Sequence, residues 1–457
     1  MKFIDRDKEI ETLNSEYHRS GASMVILFGR RRNGKTTLIQ HFTEGKKCIY
    51  YLATEENESV NLKSFKNVTA AVLDNSLLAA AEVSEWETVF DVILQSLTDQ
   101  EKTIVVLDEF QYLGKANPAF PSILQKIWDE KLKRENIMLI LCGSLIRMMK
   151  SQALNYDSPL YGRRTAQIRL DQIPFSMYSQ FMPTMDEDSL IQRYAVTGGV
   201  PKYIEQFEND EDLYTAIEKN ILNTNSFLYA EPEFLLQKEV SEIGSYFSLL
   251  RVIAQGNEKL STISSAAGIK QTAVTPYLAI LSELEIVGRE VPVTESNPAK
   301  SKKGRYFIKD NFLRLWFRFV YPYRGMIESN HAEFVMNVIR NHFIDNHLSY
   351  VYENICREKM WEYNGKLFTF DKVGRWWGEK GIDIVAYDSM GQNIIFGECK
   401  YSSTPKGMDV LLSLQKKAPY VKWNNQKRKE YFVLFSRSGY SDALKQYAKV
   451  HANVFLL

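Results

Sequence analysis

The residues Gly29-Arg30-Arg31-Arg32-Asn33-Gly34-Lys35-Thr36 have the spacing of a glycine-rich loop that closes on a lysine and a hydroxyl. That spacing suits a nucleoside triphosphate. Glycines let successive backbone N–H groups curl around phosphate oxygens, and the N-terminus of a following helix adds partial positive charge. Lys35 is placed to reach the β- and γ-phosphates, and Thr36 to ligate magnesium. Gly29, Asn33, Gly34 and Thr37 complete the cradle, and ATP with Mg2+ is the expected ligand pair. Arg30, Arg31 and Arg32 are expected to face solvent, because such a loop holds phosphate with its backbone.

A second constellation, Ile104-Val105-Val106-Leu107-Asp108-Glu109, is an apolar run ending in two acids. Asp108 would hold magnesium through water, and Glu109 would polarise the attacking water, since in-line phosphoryl transfer needs an oriented nucleophile. The bland alternative is an acidic strand end that solvates a loop. Ser144 follows another apolar run and reads either as a sensor of the γ-phosphate or as a turn serine. Arg163 and Arg164 read either as fingers that stabilise transferring charge or as members of surface ion pairs.

The third constellation lies near the other end. Glu353 falls on a helical pattern, Ile382-Asp383-Ile384-Val385-Ala386 reads as a strand, and Phe396-Gly397-Glu398-Cys399-Lys400 reads as its hairpin partner. Residues two apart on a strand share a face, so Glu398 and Lys400 point to one site and Asp383 meets them there. Carboxylates from neighbouring strands can hold magnesium that activates water, with the lysine stabilising charge. The alternative for Glu353 is an exposed helix acid, and for the set an unrelated group of charges. The run containing Lys416, Lys417, Lys422, Trp423, Lys427, Arg428 and Lys429 reads either as a track for a nucleic-acid backbone or as a solvated face.

The elements that must position these groups follow from the apolar pattern. Met24–Phe28, Thr103–Leu107 and Ile137–Cys142 are continuous apolar runs, as expected of parallel strands buried on both faces. A helical stretch follows from about Pro174 to about Lys238, broken at Thr197-Gly198-Gly199-Val200-Pro201. Next come three short helices, Ser248–Ala254, Ser261–Ala267 and Gln271–Leu284, then strands at Arg289–Val293 and Tyr306–Ile308 around a basic loop with Lys300, Lys302, Lys303 and Arg305. That is the order of a winged helix-turn-helix. Lys270, Gln271, Thr272 and Thr275 would face a DNA groove, although a protein-contacting module has the same order. A last mixed α/β segment includes a helix over Phe343–Lys359 and a turn at Asp388–Gln392.

The chain of 457 residues has a length prior of about three domains. The expected fold is α/β multidomain: a P-loop αβα sandwich over 1–173, a helical lid over 174–238, a winged helix and connector over 239–325, and a mixed α/β domain over 326–457. Lys+Arg at 57 nearly balance Asp+Glu at 56, so only local patches favour a polyanion. Four dispersed cysteines suit a reducing compartment, and no run reaches the ~18 apolar residues of a membrane helix. A cytoplasmic protein with no membrane partner is expected.

Phe3-Ile4-Asp5-Arg6-Asp7-Lys8-Glu9, the loop Gly29–Thr36, Leu107-Asp108-Glu109-Phe110-Gln111-Tyr112-Leu113, Leu160-Tyr161-Gly162-Arg163 and Gly198-Gly199-Val200-Pro201-Lys202-Tyr203 together resemble the archaeal-type ATPase family. That family lies in the STAND and AAA+ branch of P-loop ATPases. The resemblance implies that Phe3–Glu9, with Arg6, lies near the adenine and that the helical stretch is a lid. Asn33 stands where the family more commonly has an apolar residue. Over the last quarter of the chain, Glu353, Asp383 and Glu398-x-Lys400 resemble the PD-(D/E)XK restriction-endonuclease fold. Arg375-Trp376-Trp377-Gly378 is similar to the C-terminal domain that often accompanies these ATPases, with Lys380-Gly381 replacing an acid usual beside the Ile-Asp pair.

Two functions compete. One is an ATP-controlled, magnesium-dependent DNA nuclease. The other is a regulatory ATPase switch whose nuclease-like domain keeps the fold without the chemistry and binds DNA or protein, with nucleotide-dependent self-association as one output. A small-molecule kinase lacks a recognisable acceptor site.

Overall fold

The computed structural model describes residues 3–98, 100–208, 212–425 and 427–457. The chain folds into two compact units. The first is Met1–Ile173 with Val200–Glu205 and Gln237–Ser241; the second is Pro174–Gly199, Gln206–Leu236 and Glu242–Leu457.

The first unit is built on five parallel strands, β1 (Ser23–Phe28), β2 (Cys48–Leu52), β3 (Thr103–Asp108), β4 (Ile137–Gly143) and β5 (Ala166–Arg169), in the order β2-β3-β4-β1-β5. Every residue of β1, β3 and β4 is buried. Alternate side chains of each strand enter separate cores on the two faces. Ile26, Val105 and Leu139 join Phe65, Trp86 and Phe90 on one face. Val25, Val106 and Ile140 join Leu38, Ile39 and Phe42 on the other. That two-sided burial is why these strands read as unbroken apolar runs. β2 and β5 lie at the edges and carry mixed sequences, so their composition is less telling.

In the second unit, the helix Glu187–Thr197 starts on Asp186, whose carboxylate accepts the Ser189 N–H, and ends at Gly198 with φ 58°. This places the helix break where the sequence puts it. Three helices then follow, Ile243–Ala254, Leu260–Ala267 and Gln271–Glu283, and an antiparallel pair, β6 (Val287–Glu290) with β7 (Arg305–Ile308). β6 begins two residues earlier than the sequence pattern suggests and stops before Pro292, which has no N–H for the ladder. The helical pattern around Phe343 resolves into Ala332–Phe343, a π-helical turn at Ile344–Leu348, and Ser349–Met360.

The unit ends in a mixed sheet of β8 (Lys372–Trp377), β9 (Gly381–Tyr387), β10 (Asn393–Lys400), β11 (Lys429–Ser436) and β12 (Val454–Leu456), ordered β12-β11-β10-β9-β8. β9 and β10 pair antiparallel across the expected turn, whereas β10 and β11 are parallel. The helix Met408–Lys417 lies in that parallel crossover, with Leu411 and Leu414 buried against Phe396, Phe432 and Leu434.

Close backbone approach decides one position. A Cβ on Gly29 would lie 2.4 Å from the Leu170 carbonyl oxygen, a backbone atom rather than the end of a flexible side chain. Gly29→Ala is therefore expected to cost more than about 2 kcal/mol in chemical denaturation. Gly244→Ala, in the helix Ile243–Ala254 with nothing within 4 Å of the added carbon, should be neutral or gain up to about 1 kcal/mol.

Candidate functional site

The loop after β1 wraps around its own lysine. Lys35 is 7% exposed, and its Nζ donates to the carbonyls of Gly29 at 2.8 Å and Arg30 at 2.9 Å. Burial lowers its pKa, while Cys142, Glu109 and Asp108 favour its charged form. A buried ammonium satisfied mainly by neutral carbonyls has much to gain from an anion. Gly34, with φ 89°, supplies the left-handed turn into the helix Lys35–Thr43.

The next strand brings the acids alongside. Asp108 ends β3; its Oδ2 accepts from the Thr36 hydroxyl at 3.3 Å and from the Tyr50 hydroxyl, and its Oδ1 accepts the Glu109 N–H at 2.9 Å. The Thr36 hydroxyl and the Asp108 carboxylate form the hard-oxygen donor set that suits magnesium, so these residues fit that ion. Glu109 has φ 53°, a left-handed conformation that costs a non-glycine residue about 1–2 kcal/mol. Its two carboxylate oxygens accept from Ser144 Oγ at 2.9 and 2.6 Å, and Oε2 also accepts from Gln111 Nε2. Parallel pairing of β3 with β4, Leu107 opposite Leu141, sets this register. Strain and side-chain restraint thus converge on the residue read as the water-orienting group.

The remaining loop residues are less exposed than their sequence suggests. Arg30 is 8% exposed, and Arg31 and Arg32 are half-buried, so the expectation that they face solvent is wrong. Arg31 Nη2 donates to the Tyr112 hydroxyl at 2.9 Å, and burial lowers the pKa of Arg32, partly offset by Tyr203. The loop is enclosed by neighbouring segments of its own unit. Arg6 donates to the carbonyls of Asn33 at 3.3 Å and Asp171 at 2.9 Å, and Asn33 Nδ2 donates to Leu170 O at 2.9 Å. Arg6, from the segment Phe3–Glu9, therefore lies against the loop. Thr37 is half-buried at the start of its helix. Arg163 pairs with Asp129 at 2.9 Å and donates to the carbonyls of Pro159 and Tyr161, while Arg164 lies over the Tyr161 ring at 5.6 Å. Of the two readings of Arg163, the ion pair is the one this conformation holds.

In the second unit, β9, β10 and the helix Ser349–Met360 bring Asp383, Glu398, Lys400 and Glu353 together. Each acid has a partner. Glu398 accepts from Lys400 at 2.7 Å and Lys417 at 2.8 Å; Glu353 pairs with Arg375, which also reaches Glu290 at 3.4 Å. Asp383 Oδ2 accepts the Cys399 N–H at 3.0 Å, and burial, then Glu353 and Glu398, push its pKa up to about 6. Among the described residues no group of three or more His, Cys, Asp or Glu converges to hold a metal ion. As arranged, Glu353 and Glu398 are neutralised by basic side chains, which does not suit magnesium, while Asp383 accepts a backbone N–H. The basic run near residue 420 divides: Lys416, Lys422, Lys427 and Lys429 are exposed, whereas Lys417 turns to Glu398 and Arg428 is buried against Glu430.

Residues 3–207 match a family model described as an ATPase domain predominantly from Archaea. An uncharacterized protein of Methanocaldococcus jannaschii is 36% identical over 404 residues, 87% of this chain and 87% of its own length. The chain belongs to the archaeal-type ATPase family. An uncharacterized ATP-binding protein of the same organism is 47% identical over 47 residues, 10% of this chain and 80% of its own. The solved structure of a Walker-type ATPase of Pyrococcus abyssi covers 69% of this chain and 96% of that one, with a TM-score of 0.53 and 18% identity, a likeness of fold. Residues 316–417 match a second model, described as archaeal and bacterial proteins of unknown function. No helix among the described residues is long and apolar enough to cross a membrane.

Several residues of this ATPase family member escape a motif-based reading. Tyr50 reaches Asp108 from an edge strand, and Gln111 reaches Glu109 from two residues further along. Arg375 and Lys417 stand in motifs noted for other reasons. A hydrogen-bonding residue type two positions after Glu109 was the one available signal; the rest requires the strand order.

The Asp383 shift has a definite sign. A folded pKa raised to about 6 contributes stability below the unfolded value near 4, and that contribution is lost as pH rises through about 6. Asp383→Asn, whose amide oxygen can still accept the Cys399 N–H, should therefore be more stable than the native chain by about 1–2 kcal/mol at pH 8. The difference should vanish near pH 4, measured by denaturant titration across pH.

Proposed function

We propose that this chain is an ATP-hydrolysing molecular switch. The observation that supports it most is the Lys35 ammonium held on the Gly29 and Arg30 carbonyls beside the Thr36–Asp108 pair. On arrival of ATP, Lys35 exchanges carbonyl oxygens for β- and γ-phosphate oxygens, and the loop N–H groups and helix start take the remaining charge. Thr36 and Asp108 would hold magnesium, which neutralises charge on the phosphates. Glu109 orients water for in-line attack, and it reaches that water by turning from Ser144 and Gln111. Release of this carboxylate is the step that converts binding into turnover. Arg6 and Asn33 fix the loop against Leu170 and Asp171, next to the place proposed for the adenine.

The second unit supports a finer reading. Its three helices and the β6–β7 pair have the order of a winged helix-turn-helix, and Lys270, Gln271, Thr272 and Thr275 are all exposed at the start of the third helix. This favours DNA as the partner, with self-association as an alternative output of the switch. The acids of the last sheet support a PD-(D/E)XK nuclease-like reading of that domain. The pairing of Glu353 with Arg375 and of Glu398 with Lys400 and Lys417 favours the non-cleaving form of that reading.

Lys35→Ala should weaken ATP binding more than 100-fold in equilibrium titration, whereas Glu109→Gln should keep binding and lower turnover at least 100-fold. Normal turnover in Glu109→Gln would remove the proposed water-orienting role of Glu109. With supercoiled plasmid and Mg2+, the native protein should nick no faster than Asp383→Ala. Nicking that this substitution abolishes would establish the nuclease reading instead.

A further inference from the structure

A cavity of about 640 Å3 in the second unit combines Lys259, Arg289, Lys302 and Lys303 with Tyr306 and Trp377, and among the described residues none that lines it is acidic. Four cations in the wall of one hollow favour a positive local field, one of them offset by Glu295 beside Lys303. Lys303 reaches Glu295 at 3.3 Å while remaining 63% exposed; Lys259 and Lys302 are exposed.

The wall is built to keep its shape. Arg289 donates to the carbonyls of Pro298 and Ser301, folding the loop between β6 and β7 back on itself. Gly304 makes room for this guanidinium, since a Cβ there would lie 2.5 Å from Arg289 Nε. Trp377 Nε1 donates to Lys303 O at 3.1 Å, and Arg305 covers the Trp377 ring at 4.6 Å while pairing with Glu258 at 3.1 Å. Two helices also open on this hollow: Leu260 and Ser261 begin Leu260–Ala267, and Gln271 begins Gln271–Glu283. Neither start has a side-chain cap. Their first N–H groups lack intrahelical acceptors and carry the positive end of the helix dipole.

We propose that this cavity binds the sugar–phosphate backbone of a nucleic-acid strand. Oxyanions meet lysine charge at the rim and uncapped N–H groups within, the two donor types suited to phosphodiesters. Beyond the rim, the exposed Lys270, Gln271, Thr272 and Thr275 continue the surface along one helix, which suits an extended chain better than a small anion. The same walls lead to the acids. Two residues back along β8 from Trp377, about 7 Å, stands Arg375; it holds Glu353 and also Glu290, the neighbour of Arg289 on β6. This inference rests on the winged-helix reading of the second unit and is independent of the P-loop chemistry.

The test is anisotropy titration of the full chain with fluorescent 20-nucleotide probes, one duplex and one single-stranded, between 50 and 200 mM salt. Lys259→Glu/Lys302→Glu should bind at least tenfold more weakly, with the slope of log affinity against log salt reduced by about 2. Lys302→Ala alone should reduce the slope by about 1. Lys366→Glu/Lys449→Glu, with the same net charge change at exposed positions elsewhere, should lose less than threefold. Whichever probe shows the larger cavity-dependent loss identifies the strand form. Equal losses in the two double variants, no loss in the cavity variant, or no binding of either probe by the native chain would overturn the proposal. ATP titration of the same proteins separates the two claims: retained ATP binding with failed DNA binding sinks the cavity assignment and leaves the nucleotide site standing.

Discussion

The buried Lys35 ammonium is the constraint on which the nucleotide site depends. A cation this enclosed needs oxygen ligands, and the loop supplies them by curling its own Gly29 and Arg30 carbonyls onto Nζ. The curl is possible because Gly29 packs against the Leu170 carbonyl with no side chain and Gly34 turns through positive φ. Arg6 and Asn33 then fasten the outside of the loop to the segment after β5. Sheet order, glycine placement and the two side-chain tethers all serve one arrangement, a positive charge enclosed and ready for exchange of its ligands.

The acids at the two ends of the chain face opposite electrostatic situations. Glu109 is restrained by neutral donors, Ser144 and Gln111, which set its direction. Glu353 and Glu398 are held by Arg375, Lys400 and Lys417, which cancel their charge. A metal ion would have to displace ammonium and guanidinium groups in a half-buried setting, where breaking such pairs is costly. The first arrangement suits a carboxylate that must act on water. The second suits a structural or binding surface, with Asp383 left protonated over part of the accessible pH range.

The parts of the fold that were legible in the sequence are those where one physical demand dominates. β1, β3 and β4 are buried on both faces, so each had to be an uninterrupted apolar run; the glycines and lysine of the loop had to follow β1. The meeting of Asp383 with Glu398 and Lys400 followed from the two-residue period of a strand and one hairpin turn. β2 and β5 were less visible because edge strands tolerate mixed residues. The burial of Arg30, the reach of Tyr50 to Asp108 and the turn of Lys417 toward Glu398 were illegible for a common reason. Each depends on which segment lies alongside, and long side chains such as arginine and lysine take their role from that neighbour.

The most direct measurement is a crystal structure of the full chain with a non-hydrolysable ATP analogue and magnesium. The account predicts phosphate oxygens within hydrogen-bond distance of Lys35 Nζ, which has left the Gly29 and Arg30 carbonyls, and the metal between Thr36 and Asp108. A nucleotide bound elsewhere, or one seated in the loop with Lys35 still closed on its own carbonyls, would contradict it.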